Sequence, residues 1–185
     1  MRITFPRVPD HEPAYAVVQR DDGVVYRLYG GIGGRGLPHD IRHLVVEKTL
    51  GISDGIWGDI ASGMVLRSMR YVSGRRRPHE ERRSRELIRA FRVRGLRAEM
   101  LANLVEQVAA LDDPSPTEVR LLATRVLSVL PPEEVTLLLE DGDEIVAAAR
   151  ALRVEAARWA RLRVGESLSY DWPAPHRGHG RRQAG

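Results

Sequence analysis

The sequence predicts an α+β fold, with a small N-terminal antiparallel β-hairpin sheet packed on a mainly helical body of about five helices. Three observations carry this. β-rich runs crowd the first 30 residues, helical periodicity takes over after Pro38, and proline or glycine breaks separate the helical stretches. The chain has 185 residues, 43% apolar and 29% charged, a balance that suits one domain with its own core. Residues 1–173 are expected to form that single α+β domain. Residues 174–185, rich in Pro, Gly and Arg, are expected to be a disordered tail.

Each element has a local reason. Met1 to Phe5 reads as a short edge strand closed by Pro6 and Pro9. Residues 15–20 and 24–29 are β-rich, and Asp21-Asp22-Gly23 joins them as a hairpin. Residues 30–36 are glycine-rich and read as a loop. Pro38 then starts a helix that runs to Leu50 and stops at Gly51. Ser53 or Asp54 caps a second helix, over 55–69, which Ser73-Gly74 breaks. Apolar residues recur at helical spacing from Pro78 to Leu111, and Asp112 to Pro116 ends that run. Residues 117–130, 132–140 and 143–162 read as further helices, with breaks at Pro131-Pro132 and Asp141-Gly142. Glu166 to Trp172 alternates like a strand able to return to the sheet.

Composition excludes several chemistries. With no cysteine there is no disulfide, thiolate zinc site, iron–sulfur cluster or cysteine nucleophile. No apolar run reaches the ~20 residues of a membrane span, so no membrane partner is expected. The N-terminus reads directly as a strand rather than as a leader, so the expected location is the cytoplasm. No serine sits in a nucleophile elbow.

The stretch most suggestive of chemistry is Leu37-Pro38-His39-Asp40-Ile41-Arg42-His43-Leu44-Val45-Val46-Glu47. On a helix, His39, His43 and Glu47 share one face, with Asp40 beside the first histidine. One turn rises ~5.4 Å, so His39 and His43 can aim their imidazoles at one metal ion. Zinc accepts that bite, as in the His-Glu-x-x-His helix of zinc proteases, although Asp40 is one methylene shorter than the glutamate used there. Glu47 lies ~12 Å from His39 along the axis. It would bind with His43 or accept an imidazole N–H, and His11, Asp59, His79 and Glu80 are other candidates for a third ligand. These residues point to a divalent metal, zinc foremost, with His39, His43 and Glu47 as ligands. Asp40 and Glu47 are the candidate catalytic carboxylates of a metal-dependent hydrolase acting on a small molecule or peptide. The competing interpretation is a helix-capping His39 and an interior His43.

Two other features compete for function. Gly31-Ile32-Gly33-Gly34-Arg35-Gly36 fits a dinucleotide-loop spacing but lacks a βαβ context. It suits a lid over the histidine helix, or an anion site using Arg35 and the following helix N-terminus. Lys48 is the only lysine among 29 basic residues, and arginines crowd positions 75–97. Arg75, Arg76, Arg77, Arg82 and Arg83 suggest a non-catalytic regulatory surface for nucleic acid or an acidic protein. The plain alternative is a solvated helix face with Glu–Arg pairs four residues apart. Trp57 and Trp159 fit apolar helix faces and are expected in the core. The sequence leaves the oligomeric state open.

The motif Leu37, Pro38, His39, Asp40, His43, Val46, Glu47, followed by Gly55, Trp57, Gly58, Ala61 and Gly63, resembles a set of uncharacterised bacterial proteins of high-GC, actinobacterial type. The resemblance covers about a third of the chain, and that set has no established activity to transfer.

Overall fold

Ten elements of the described residues arrange as one sheet against a helical layer. The structure is a computed structural model and describes residues 1–133, 135 and 142–173. The order is β1 (Arg2–Pro6), β2 (Pro13–Gln19), β3 (Val25–Ile32), α1 (His39–Thr49), α2 (Ile56–Ser62), β4 (Met69–Ser73), α3 (Glu80–Ala109), α4 (Pro116–Val126), α5 (Gly142–Arg161) and β5 (Ser167–Asp171). The predicted helix over 132–140 and the tail over 174–185 lie largely or wholly outside the described residues.

All strand pairings are antiparallel, in the order β4-β3-β2-β1-β5. Alternation decides which face goes inward. Ile3, Phe5, Ala16, Val18, Tyr26 and Leu28 are buried, while the intervening Thr4, Val17 and Arg27 are only partly covered. The hairpin between β2 and β3 is fixed by charge as well as by turn chemistry. Asp22 accepts the Val24 backbone N–H and two hydrogen bonds from Arg20.

The α+β class expected from the sequence is the observed one, and the sheet is larger than its predicted three strands. β1 is not an edge strand, because β5 pairs along its outer side from Arg2↔Asp171 to Pro6↔Ser167. The second helix stops at Ser62 rather than Met69, since Gly63 turns left-handed and its backbone N–H closes the helix end. The chain then enters β4, which pairs with β3 from Val25↔Ser73 to Leu28↔Met69. Met69-Arg70-Tyr71-Val72 has ordinary strand composition, but continued helical spacing masked it.

The core lies between the sheet and α1, α3 and α5. Ile41, Leu44, Leu101, Leu104, Val105, Val108, Ala148 and Leu152 are buried there. Ser115 caps α4 through a reciprocal capping box with Glu118. Among the described residues, no helix is long and apolar enough to cross a membrane.

Candidate metal centre

α1 begins at His39, directly after Pro38, whose fixed φ suits a helix entrance. Its apolar residues Ile41, Leu44, Val45 and Val46 are drawn into the core, which fixes the helix rotation. That rotation turns His39 and His43 toward α3. His39 is exposed at the rim, with a side-chain accessibility of 56%, whereas His43 is almost sealed at 4%.

The two imidazoles meet as the spacing requires. His39 Nε2 and His43 Nε2 are 3.2 Å apart. Glu99 on α3 completes the group, with Oε1 3.4 Å from His43 Nε2 and Oε2 3.9 Å from His39 Nε2. His39, His43 and Glu99 each offer a ligand atom within 4.8 Å of the others, so the three could hold a metal ion. Two nitrogens bound to a tetrahedral zinc at ~2.05 Å would stand about 3.3 Å apart, close to the observed separation. Glu99 is half-exposed and has room to swing onto a metal.

Electrostatics favour different states of the two rings. Burial, the largest influence on His43, lowers its pKa and keeps the ring neutral, the form that donates a lone pair. The pKa of His39 is raised, first by Asp40, whose Oδ1 stands 3.7 Å from His39 Nδ1, and also by Glu99. Asp40 therefore faces the nitrogen opposite the one that points at His43. Such a carboxylate orients a ligating imidazole; it does not sit where a metal-bound water would. A small cavity of about 100 Å³ adjoins the group, lined by His39, Arg42, His43, Glu99, Asn103 and Glu106. Arg42 is paired there with Glu106.

Glu47 is placed elsewhere, contrary to its candidacy as a ligand or catalytic carboxylate. Its side chain is buried, and it caps the N-terminus of α2. Oε1 accepts the Ile56 N–H at 2.9 Å, and Oε2 accepts the Trp57 N–H at 3.0 Å. Gly55 makes this possible, since a Cβ at that position would lie 2.3 Å from the Glu47 carboxyl carbon. Burial pushes the carboxyl up to about 8, against backbone hydrogen bonds that pull it down. The pull of α2 wins because two helix N–H groups would otherwise be buried without partners.

None of the other third-ligand candidates approaches the histidines. Asp59 is held by both oxygens to Arg94, and Glu80 binds Arg20 and Tyr26. His79 precedes α3 in a left-handed conformation, and His11 is tied by its backbone to Gly33. Glu99 had no local signal, being 56 positions beyond His43. The available clue was a polar row, Glu99, Asn103 and Glu106, beside the small Ala98 and Ala102 on an otherwise apolar stretch of helix.

The glycine-rich loop does not cover the metal-capable group. Gly33 is bonded to His11 and Glu12 through its backbone, and the buried Trp159 donates its indole N–H to Gly34. The loop borders a cavity of about 510 Å³ on the Asp40 side of His39. Arg35 lines a separate cavity with Arg7 and Asp10, so it does not join the α1 N-terminus in one anion site. Trp57 is buried, as expected, and donates its indole N–H to the Asp40 carbonyl.

The arginine segment divides. Arg77 pairs with Asp22, and Arg76 contacts Glu80 and lies over Tyr71. Arg83 donates to the Ser62 carbonyl. Arg75 and Arg82 are exposed. Comparisons with protein families, with curated proteins and with solved structures returned no match, so the geometry of this chain alone carries its functional reading.

Proposed function

We propose that the protein binds a divalent metal, zinc foremost, through His39, His43 and Glu99, and uses it in a hydrolytic reaction. The observation that supports this is the pair of Nε2 atoms 3.2 Å apart with a carboxylate oxygen 3.4 Å from the buried one. Three protein ligands of this kind leave a fourth tetrahedral position for water or substrate. A bound metal would polarise a substrate carbonyl or phosphoryl oxygen and lower the pKa of its water.

The chain's own groups divide the remaining work. Asp40, 3.7 Å from the far ring nitrogen of His39, would orient that ring on a bound metal. Burial keeps His43 neutral. Arg42, steadied by Glu106, places a cation beside the cavity where negative charge would develop. The resemblance of the α1 motif to an uncharacterised bacterial set is compatible with this reading and adds no substrate.

The test is elemental mass spectrometry of tag-free protein, wild type against His39→Ala/His43→Ala and against Glu99→Ala. Near-stoichiometric metal in the wild type alone is the expected result and would justify a hydrolase screen. Metal-free wild type after reconstitution with zinc, manganese and iron overturns the proposal.

A further inference from the structure

A second surface, on the first half of α3, has a different chemistry. At 100° per residue, Arg82, Arg85, Arg89 and Arg92 fall within an arc of about 80°. They span ~15 Å along the helix. All four are exposed, and none has an ion-pair or hydrogen-bond partner among the described residues. On the other side of the helix Arg83 donates to the Ser62 carbonyl and Arg94 binds Asp59, while Arg97 is exposed. Glu81 and Glu86 flank the stripe, yet neither forms an ion pair with an arginine four residues away, nor with any other described residue. The row is therefore not tied up in direct ion pairs among the described residues.

The stripe borders an aromatic site. Arg85 lines a cavity of about 320 Å³ together with Arg76, Tyr26, Glu80 and Glu81. Glu80 is already committed to Arg20 and Tyr26, which leaves the exposed Glu81 as the one acid facing the cavity without a partner. Arg76 lies over the ring of Tyr71, 4.8 Å from its centroid, and Tyr71 is 45% exposed on the edge strand β4. A row of free guanidinium groups offers phosphate contacts at successive positions. A tyrosine and arginine stack beside a cavity offers a place for an unpaired base. An acidic protein would satisfy the charges without using the ring.

We propose that Arg82, Arg85, Arg89 and Arg92 track the backbone of single-stranded nucleic acid, with a base received at Tyr71 and Arg76. The surface is independent of the metal-capable group, and the assay is run in EDTA to keep it so.

The probe is a fluorescein-labelled oligo(U) of about 20 nucleotides, read by anisotropy across a salt series. Four phosphate contacts on a single strand predict a log–log salt slope near −2.8, at about −0.7 each. Arg85→Gln/Arg89→Gln/Arg92→Gln is expected to reduce that slope to about −0.7 and weaken binding at least tenfold, with unchanged circular dichroism. Tyr71→Ala is expected to weaken oligo(U) at least about fivefold while leaving the slope unchanged. Arginine-to-lysine replacement at the three positions should retain most of the slope. The proposal is overturned by absence of binding or by an unaltered slope in the glutamine variant. Equal affinity for a duplex of the same length, with indifference to Tyr71→Ala, also overturns it. So does displacement of the probe, charge for charge, by polyglutamate.

Discussion

Glu47→Gln separates two roles for a residue that the α1 motif presents as a ligand and the fold uses as a cap. The substitution keeps size and removes the charge. In the folded protein the carboxyl is pushed up to about 8 by burial, from an ordinary 4.5. A raised folded-state pKa contributes stability that is fully present below 4.5 and is lost as pH rises through about 8. The difference, 8 minus 4.5, is 3.5 units, which at ~1.36 kcal/mol each sets a ceiling of about 5 kcal/mol. At pH 5 the wild-type side chain is a neutral acid and Gln is nearly its equal, costing about 1 kcal/mol for one mismatched N–H. At pH 9 the wild type carries a buried carboxylate, and the variant is expected to be the more stable by a few kcal/mol. In a chain of this size each kcal/mol moves Tm by about 2–4 °C, so the curves should cross and then part by up to roughly 15 °C. The assay is thermal unfolding of both proteins from pH 5 to 9, with metal content measured in parallel. A wild type that gains stability over the variant as pH rises would show that capping the α2 N–H groups outweighs desolvation, which refutes the reasoning. Loss of metal from the variant would instead restore Glu47 as a ligand.

Three further outcomes follow from the same geometry. Glu99→Ala should abolish metal retention while shifting Tm of the metal-free protein by no more than about 2 °C, since the residue is half-exposed and supports no core contact. Asp40→Asn should weaken metal affinity about 10–100-fold in a chelator competition, by loosening the His39 ring rather than removing a ligand. Gly55→Ala should destabilise the fold by about 1–3 kcal/mol in denaturant unfolding, because the new methyl meets the Glu47 carboxyl.

The histidine pair was legible because helix geometry is local. A spacing of four residues, a proline at the entrance and an apolar stripe fix which way His39 and His43 face. The β-hairpin was legible for the same reason, from alternation and turn residues. β4 was not, because a short run such as Met69 to Ser73 supports either period until a partner strand is present. The strand character of β5 was legible from the alternation of Glu166 to Trp172, as was its ability to return to the sheet, but its place beside β1 was not, because that pairing spans more than 160 positions.

The sequence by itself therefore determined the fold class, the position of α1 and the meeting of the two imidazoles. Tertiary structure decided which carboxylate joins the metal-capable group and the fate of every other candidate. Glu99 enters because the packing of α3 on α1 sets its carboxylate beside the two imidazoles. Glu47 leaves because its carboxylate accepts the Ile56 and Trp57 N–H groups at the N-terminus of α2. Asp40 turns to the far side of His39, and Arg76, Arg77 and Arg83 find partners at the surface while Arg82, Arg85, Arg89 and Arg92 have none among the described residues. Local spacing limits where a side chain can point. Which of several polar partners it then meets is a competition among buried groups, and only the packed chain brings the competitors together.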